Sequence, residues 1–335
     1  MSAMTRESPI AEKDMVAEAE KALDDISKVR KGVARVIFGQ EQVVERTLVA
    51  LLAGGHALLV GVPGLAKTKL VETLGVVLGL DSRRIQFTPD LMPSDILGSE
   101  VMETDEHGRR SFRFIPGPVF AQLLMADEIN RASPRTQSAL LQSMQEYHVT
   151  VAGQRHDLPA PFHVLATQNP LEQEGTYPLP EAQLDRFLMQ VDILYPELEA
   201  ERRILVETTG VAEAKAENVL TAERLRAIQH LIRRMPVSDG VVEAILSLVR
   251  AARPGSGNAD TDKNVAWGPG PRASQALTLC ARARALYDGR LAPSVDDVHA
   301  LAEPVLQHRM ALTFAARAEG MHVRDVIARL VKANA

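Results

Sequence analysis

Apolar positions along the chain change their period at two places. Residues 12–36 carry Val16, Leu23, Ile26, Val29 and Val33 at helical spacing among Ala, Glu, Lys and Asp, which predicts an amphipathic helix; residues 40–53 predict a second. From there to about Pro196, short continuous apolar runs alternate with helical stretches. The runs 57–60, 84–87, 122–126, 162–166 and 189–194 predict strands, and 69–78, 134–147 and 181–187 predict helices. Short apolar strands interleaved with helices imply an α/β fold, a parallel sheet covered on both faces. Beyond Pro196 the strand pattern stops. Residues 197–209, 221–235, 238–253, 272–287, 294–309 and 324–332 read as helices, parted by Pro236, the loop 254–270 and Pro293. The expected division is an α/β domain over 13–196 and a smaller all-helical domain over 197–335.

Two stretches interrupt the α/β rhythm. Residues 88–120 hold four prolines, an acidic run from Glu100 to Glu106 and the turn His107-Gly108. Residues 149–158 read as a hairpin turning at Ala152-Gly153, a weaker turn signal than Asn-Gly. The first dozen residues mix charges around Pro9 without an apolar run, so a disordered tail is expected there and no signal peptide. The most apolar stretch, 48–64, is shorter than the roughly 20 residues a spanning helix needs, and His56, Gly54-Gly55 and Pro63 break it. No transmembrane segment is expected, and the expected compartment is the cytoplasm.

Composition narrows the classes. The chain has 335 residues, 46% apolar and 24% charged, enough for a core without staples. Its formal charge of −5 argues against a protein that coats nucleic acid. Aromatics at 4% leave little for base stacking. Cys280, the single cysteine, excludes an intramolecular disulfide and is expected to pack as a small apolar side chain.

The chemistry concentrates in five places. Gly61, Val62, Pro63, Gly64, Leu65, Ala66, Lys67 and Thr68 follow a predicted strand and open a predicted helix, the setting of a phosphate loop. Small residues there let backbone N–H groups wrap β- and γ-phosphates at a helix N-terminus. Lys67 would meet the phosphate oxygens, and Thr68 would bring a hydroxyl to Mg²⁺. Ala66 stands where glycine is usual and carries roughly 1 kcal/mol of strain if its φ is positive. Leu123 to Glu128 is an apolar strand ending in two acids, with Asp127 expected on Mg²⁺ through water and Glu128 polarising the attacking water. Asn169, at the end of the neighbouring strand, either orients that water or forms a turn before Pro170. Arg186 is either a solvated helix-end cation or an arginine finger for a neighbouring subunit. Arg272 opens a helix behind Pro271, at the wrong end of the dipole for a cation, which points to an anion such as a nucleotide phosphate. His148, His156 and His163 lack metal-site spacing and read as solvated histidines of the hairpin.

In this order the motifs resemble an AAA+ ATPase, and three runs resemble the MoxR family: 126–146 (ADEINRASPRTQSALLQSMQE), 166–189 (ATQNPLEQEGTYPLPEAQLDRFLM) and 268–273 (GPGPRA). The likeness covers the chain from about Val36 onward. It implies a P-loop core followed by a helical lid, ATP and Mg²⁺ as ligands, and ATP hydrolysis in a homo-hexameric ring. By it Asp127 and Glu128 are the Walker B pair, Asn169 is sensor 1, Arg186 is a finger acting in trans and Arg272 is sensor 2. Ile37, Phe38 and Gly39 would line the adenine. Residues 88–120 would be the helix-2 insertion and 149–158 the pre-sensor-1 hairpin, both facing a central pore. The implied role is a chaperone-like remodeller of client proteins, often ones with von Willebrand factor A domains. The alternative is a nucleic-acid-dependent motor on the same core, for which Arg109, Arg110, Arg113 and Arg155 form the one basic cluster.

Overall fold

The computed structural model describes residues 9–104, 106–108, 110–172, 175–209 and 214–334. Two helices, α1 (Pro9–Ala34) and α2 (Glu41–Leu52), lead into β1 (Ala57–Val60), α3 (Lys67–Val77) and β2 (Ser82–Gln86). The first interruption folds as α4 (Pro93–Leu97) and a hairpin, β3 (Gly98–Thr104) with β4 (Arg110–Pro116). Then come β5 (Leu123–Asp127), α5 (Pro134–Glu146), the hairpin β6 (His148–Val151) with β7 (Gln154–Asp157), β8 (His163–Gln168), α6 (Glu181–Leu184) and β9 (Met189–Asp192). The remainder holds α7 (Leu198–Thr208), α8 (Ala222–Arg234), α9 (Asp239–Ala251), α10 (Ala259–Asn264), β10 (Val265–Trp267), α11 (Pro271–Tyr287), α12 (Val295–Leu306), β11 (Ala311–Leu312), α13 (Phe314–Ala318) and α14 (Val323–Asn334).

Five strands make one sheet in the order β2-β5-β8-β1-β9, every pair parallel. All five strand expectations hold to within a few residues, and β8 runs two residues further than predicted, through Thr167 and Gln168. Alternation along each strand sends side chains to two cores. Leu58, Leu124, Ala126, Val164 and Ala166 pack with Leu140, Leu141 and Met144 of α5. Leu59, Met125, Leu165, Met189 and Val191 join a larger core that runs through α2 and α3 into α8, α9, α11 and α12. The change near Pro196 is therefore one of secondary-structure class, while the packing is continuous across it.

Three expectations need correction. The tail expected over 1–12 lies outside the described residues as far as position 8, and α1 already begins at Pro9. The second part is not wholly helical: β10 and β11 pair antiparallel, with Trp267 opposite Ala311. The histidines are not alike either. His163 is 1% exposed on β8, and His156 stacks on Phe114, ring centroids 3.9 Å apart, tying the two hairpins together. The turn at Ala152-Gly153 forms as expected, both residues in the left-handed region (φ 49° and 81°), the pattern of a type I′ turn. Cys280 is fully buried.

Candidate active site

A parallel sheet places all its strand ends alike, and the first site residues gather at the C-terminal edge. Gly61 leaves β1 with its N–H on the Gln168 carbonyl (3.1 Å), and a Cβ there would meet the Ile193 carbonyl oxygen at 2.8 Å. Gly64 bends at φ +84°. Ala66, the N-cap of α3, has φ 55° and ψ 23°, so the left-handed strain considered for this residue is present. Lys67 opens α3 and donates from Nζ to the carbonyls of Gly61 (2.5 Å) and Val62 (3.1 Å). Burial lowers its pKa, opposed by the nearby Asp127 and Glu128 carboxylates. Thr68 follows in the same first turn of the helix.

The two acids leave β5 into different surroundings. Asp127 is 8% exposed; Arg84 donates to its Oδ2 from Nη2 (2.6 Å), and the Thr167 hydroxyl donates to its Oδ1 (2.5 Å). Glu128 sits at φ 55°, its N–H on the Thr167 hydroxyl oxygen (2.8 Å). That turn aims its carboxylate at Gln86 Nε2 (2.7 Å) and Arg131 Nη1 (3.1 Å). Sequence reasoning missed Arg84, Gln86, Arg131 and Thr167. The signal for the first two was the alternation Arg84-x-Gln86 beside β5, which puts both on one face of the edge strand. Asn169 is buried on the next strand end, its Oδ1 accepting the Leu171 N–H (3.1 Å), so the turn-forming role is realised.

Beside the loop, Ile37 and Phe38 line an apolar cavity of about 230 Å³ that reaches Ala66. A Cβ on Gly39 (φ +67°) would lie 2.2 Å from the Ala200 Cβ, so only glycine lets α7 close this wall. Gln40 donates from Nε2 to the Leu65 carbonyl (3.1 Å), which fixes its amide orientation and leaves a buried Oε1 without a partner among the described residues. A largely apolar cavity beside the phosphate loop suits a purine ring. Asp127, with both oxygens already engaged, fits a metal held through water rather than directly.

Arg186 and Arg272 are elsewhere. Arg186 precedes β9, whose Met189 pairs with Ala57 at the start of β1, so it stands at the N-terminal edge of the sheet. Lys67 lies beyond the other end of β1, a strand of four residues, or about 13 Å. Arg272 does not reach the chain's own phosphate loop, which corrects the expected placement of a lid cation on that nucleotide. The cause is packing: α11 lies on α2 and α12 on β9, which carries the first turn of α11 to the N-terminal edge. There Arg186 and Arg272 line one cleft of about 270 Å³ with Arg233, and Arg272 pairs with Asp185 at 3.5 Å. Burial, and then the cation of Arg272, disfavours the charge on Arg186, whose Nε is buried without a partner among the described residues. Such a cleft calls for an anion from outside the chain.

Comparison with known proteins gives the family. Residues 56–189 match the family described as ATPase family associated with various cellular activities (AAA), and residues 258–330 match the AAA lid domain. Over 302 residues the chain is 45% identical to Chaperone MoxR1 of Mycobacterium tuberculosis, covering 90% of this chain and 79% of that protein. The chain belongs to the MoxR family of AAA+ ATPases. Protein MoxR of Methylorubrum extorquens is 31% identical over 309 residues, 86% of this chain and 88% of that one. The same fold is also seen in the crystal structure of a putative ATPase from Cytophaga hutchinsonii, 37% identical with a TM-score of 0.88, covering 96% of this chain and 98% of that chain. Among the described residues no helix is long and apolar enough to cross a membrane.

Proposed function

We propose that this MoxR-family chain hydrolyses ATP at the seams of a homo-hexameric ring in the cytoplasm and uses the cycle to remodel client proteins. The carrying observation is the separation of the two half-sites: Lys67, Asp127 and Glu128 at one edge of the sheet, Arg186 and Arg272 at the other. Neither half-site is sufficient alone, and a neighbour placed edge to edge joins them.

In this reading Ile37, Phe38 and Gly39 hold the adenine, residues 61–66 wrap the phosphates, and Lys67 binds the β/γ oxygens. Thr68 and Asp127 would hold a magnesium ion, which would supply neutralisation of phosphate charge. Glu128 accepts a proton from water as the water oxygen bonds to the γ-phosphorus, and the β–γ bridging oxygen leaves with the electron pair of the broken bond. Asn169 directs its amide toward that water. Arg186 arrives from the neighbour to meet the charge on the transferring group, worth on the order of 10³–10⁵ in rate in related systems. Arg272 arrives with it, so both cations act in trans. The clients follow from the family likeness: proteins, those with von Willebrand factor A domains among them. A nucleic-acid partner has less to bind than the sequence suggested, because Arg113 pairs with Glu103 and Arg155 with Asp157, each at 2.8 Å, while Arg109 lies outside the described residues.

Three variants and one mixture test the scheme. Lys67→Ala should abolish binding of a fluorescent ATP analogue, and Glu128→Gln should bind ATP without turning it over. Arg186→Ala should bind normally with turnover reduced by at least 10³. Mixing Arg186→Ala with Lys67→Ala should restore part of the turnover, because each supplies what the other lacks. Normal hydrolysis by Arg186→Ala, or a chain that stays monomeric in native mass measurement with an ATP analogue, overturns it.

A further inference from the structure

Three consecutive residues of the helical part grip the segment that carries Arg186. After α12 the chain makes a short turn, Gln307–Arg309, and each side chain of that turn reaches into residues 185–190. Gln307 Nε2 donates to the Gln190 carbonyl (3.1 Å) and His308 Nε2 to the Phe187 carbonyl (3.0 Å). Arg309 does most. Its Nε donates to Asp185 Oδ1 (2.8 Å), its Nη2 to the carbonyls of Phe187 (2.7 Å) and Asp185 (3.3 Å), and its Nη1 to those of Leu188 (3.2 Å) and Val305 (2.6 Å). Carbonyls on both sides of Arg186 are held by one guanidinium that is itself only 2% exposed.

A buried arginine is a costly way to fasten two elements, since apolar side chains of the same volume commonly do as well or better. What a planar fork adds is direction: five donors at fixed angles hold backbone oxygens in one geometry. The segment so held is the one whose next side chain points into the cleft. The same Asp185 carboxylate that Arg309 binds also pairs with Arg272 on α11. Arg186, next to Asp185 in the chain, and Arg272 thus share one anchor.

We infer that Arg309 is a positioning residue for Arg186, so that the cation a protomer offers its neighbour is aimed by that protomer's own lid. The inference rests on the trans role proposed above. It adds that lid and finger travel as one body, and that a change of lid angle in one protomer is felt at the next protomer's nucleotide.

The test uses mixed rings of the full chain, in which each site's finger comes from a known partner. Lys67→Ala serves as finger donor, having no active site of its own, and Arg186→Ala as acceptor, having a site but no finger. Arg309→Met is then added to one or the other. On the donor it should cut the restored turnover at least tenfold, with Arg309→Lys recovering part of the loss. On the acceptor it should leave restored turnover within about twofold. A merely structural role would move both arms alike; equal losses, or a donor that still rescues fully, overturns the inference. Should Arg309→Met fail to fold, Asp185→Asn is read in the same two arms with the same expected asymmetry. If unmodified Lys67→Ala fails to rescue Arg186→Ala, the trans role itself falls and Arg309 has nothing to position, an outcome distinct from a loss confined to the donor arm.

Discussion

Arg84 reaches across from the edge strand and donates twice to a single oxygen of Asp127, from Nη2 at 2.6 Å and from Nε at 3.2 Å. Asp127 is the acid assigned to Mg²⁺, so a fixed cation already occupies part of its field. Two cations near one carboxylate compete for it, at a surface-type cost of about 1 kcal/mol when one is half exposed, as Arg84 is. Arg84→Gln should therefore lower the Mg²⁺ concentration for half-maximal ATP turnover by about threefold to tenfold. A titration of turnover against Mg²⁺ at saturating ATP decides it; an unchanged midpoint means the pair is electrostatically idle.

Ala66 offers a second, local prediction. Its backbone is left-handed and its side chain exposed, so the methyl group costs strain and contributes no buried packing. Ala66→Gly should stabilise the fold by about 0.5–1 kcal/mol in denaturant unfolding, less whatever the freer unfolded chain takes back. Nucleotide affinity should hold, because the N–H donor at this position remains. A loss of stability would mean that the flanking loop, rather than residue 66, sets the dihedral.

What the sequence disclosed was local, and what it concealed was relative placement. The strand runs, the phosphate loop and the Asp127-Glu128 pair could be read because each is a contiguous pattern with its own chemistry. Arg272 was recognised as a cation wanting an anion, yet the edge of the sheet it faces depends on how α11 and α12 dock on α2 and β9, which no local pattern encodes. Arg84 and Gln86 looked like the wet face of a strand, since the acids they bind lie about 40 residues further on. Strand β11 is two residues long and has no period to detect. His163 seemed to belong with the hairpin by proximity in sequence, but the strand that buries it begins at that residue.

Asp297 makes a prediction about the lid. Its fully buried carboxylate receives Arg284 Nη1 (2.6 Å), Arg290 Nη1 and Nη2 (2.7 Å each) and the Ser294 N–H (2.8 Å), and Arg284 also bonds Glu45 of α2 at 3.0 Å. Burial pushes its pKa up, but the hydrogen bonds from Arg290, Ser294 and Arg284 prevail and hold it at about 2. Asp297→Asn removes the carboxylate the two guanidinium groups share, while Glu45 and Asp288 still pair with them, and should cost about 1–3 kcal/mol. Hydrogen exchange should report the loss as faster opening of α11 and α12. Protection unchanged across both helices would show the cluster to be redundant.

Acid should weaken the fold through three buried histidines: His308 on the Phe187 carbonyl, whose pKa burial lowers well below 6.5, and two at the N-terminal edge of the sheet. His56 accepts the Val164 N–H on Nδ1 (2.9 Å), and its Nε2 lies on the Met144 carbonyl (3.2 Å); His163 places Nδ1 on the Gly55 carbonyl (2.8 Å). Burial lowers both pKa values from 6.5, with His163 adding to the effect on His56, to about 3 for His56 and about 4 for His163. Above 6.5 all three are neutral whether folded or unfolded, and none contributes a pH dependence. Below it the unfolded chain binds protons that the folded chain refuses, so unfolding becomes easier as pH falls, by about 1.4 kcal/mol per pH unit for each histidine. That window, from 6.5 down to about 4, lies above the range in which Asp297 titrates, so the two effects separate on the pH axis. Denaturant unfolding at half-unit steps from pH 7.5 to 5 should show the slope appear below 6.5. His56→Gln, which retains a donor and an acceptor, should flatten it by about one proton. A slope that is the same with and without His56 would place the acid sensitivity elsewhere.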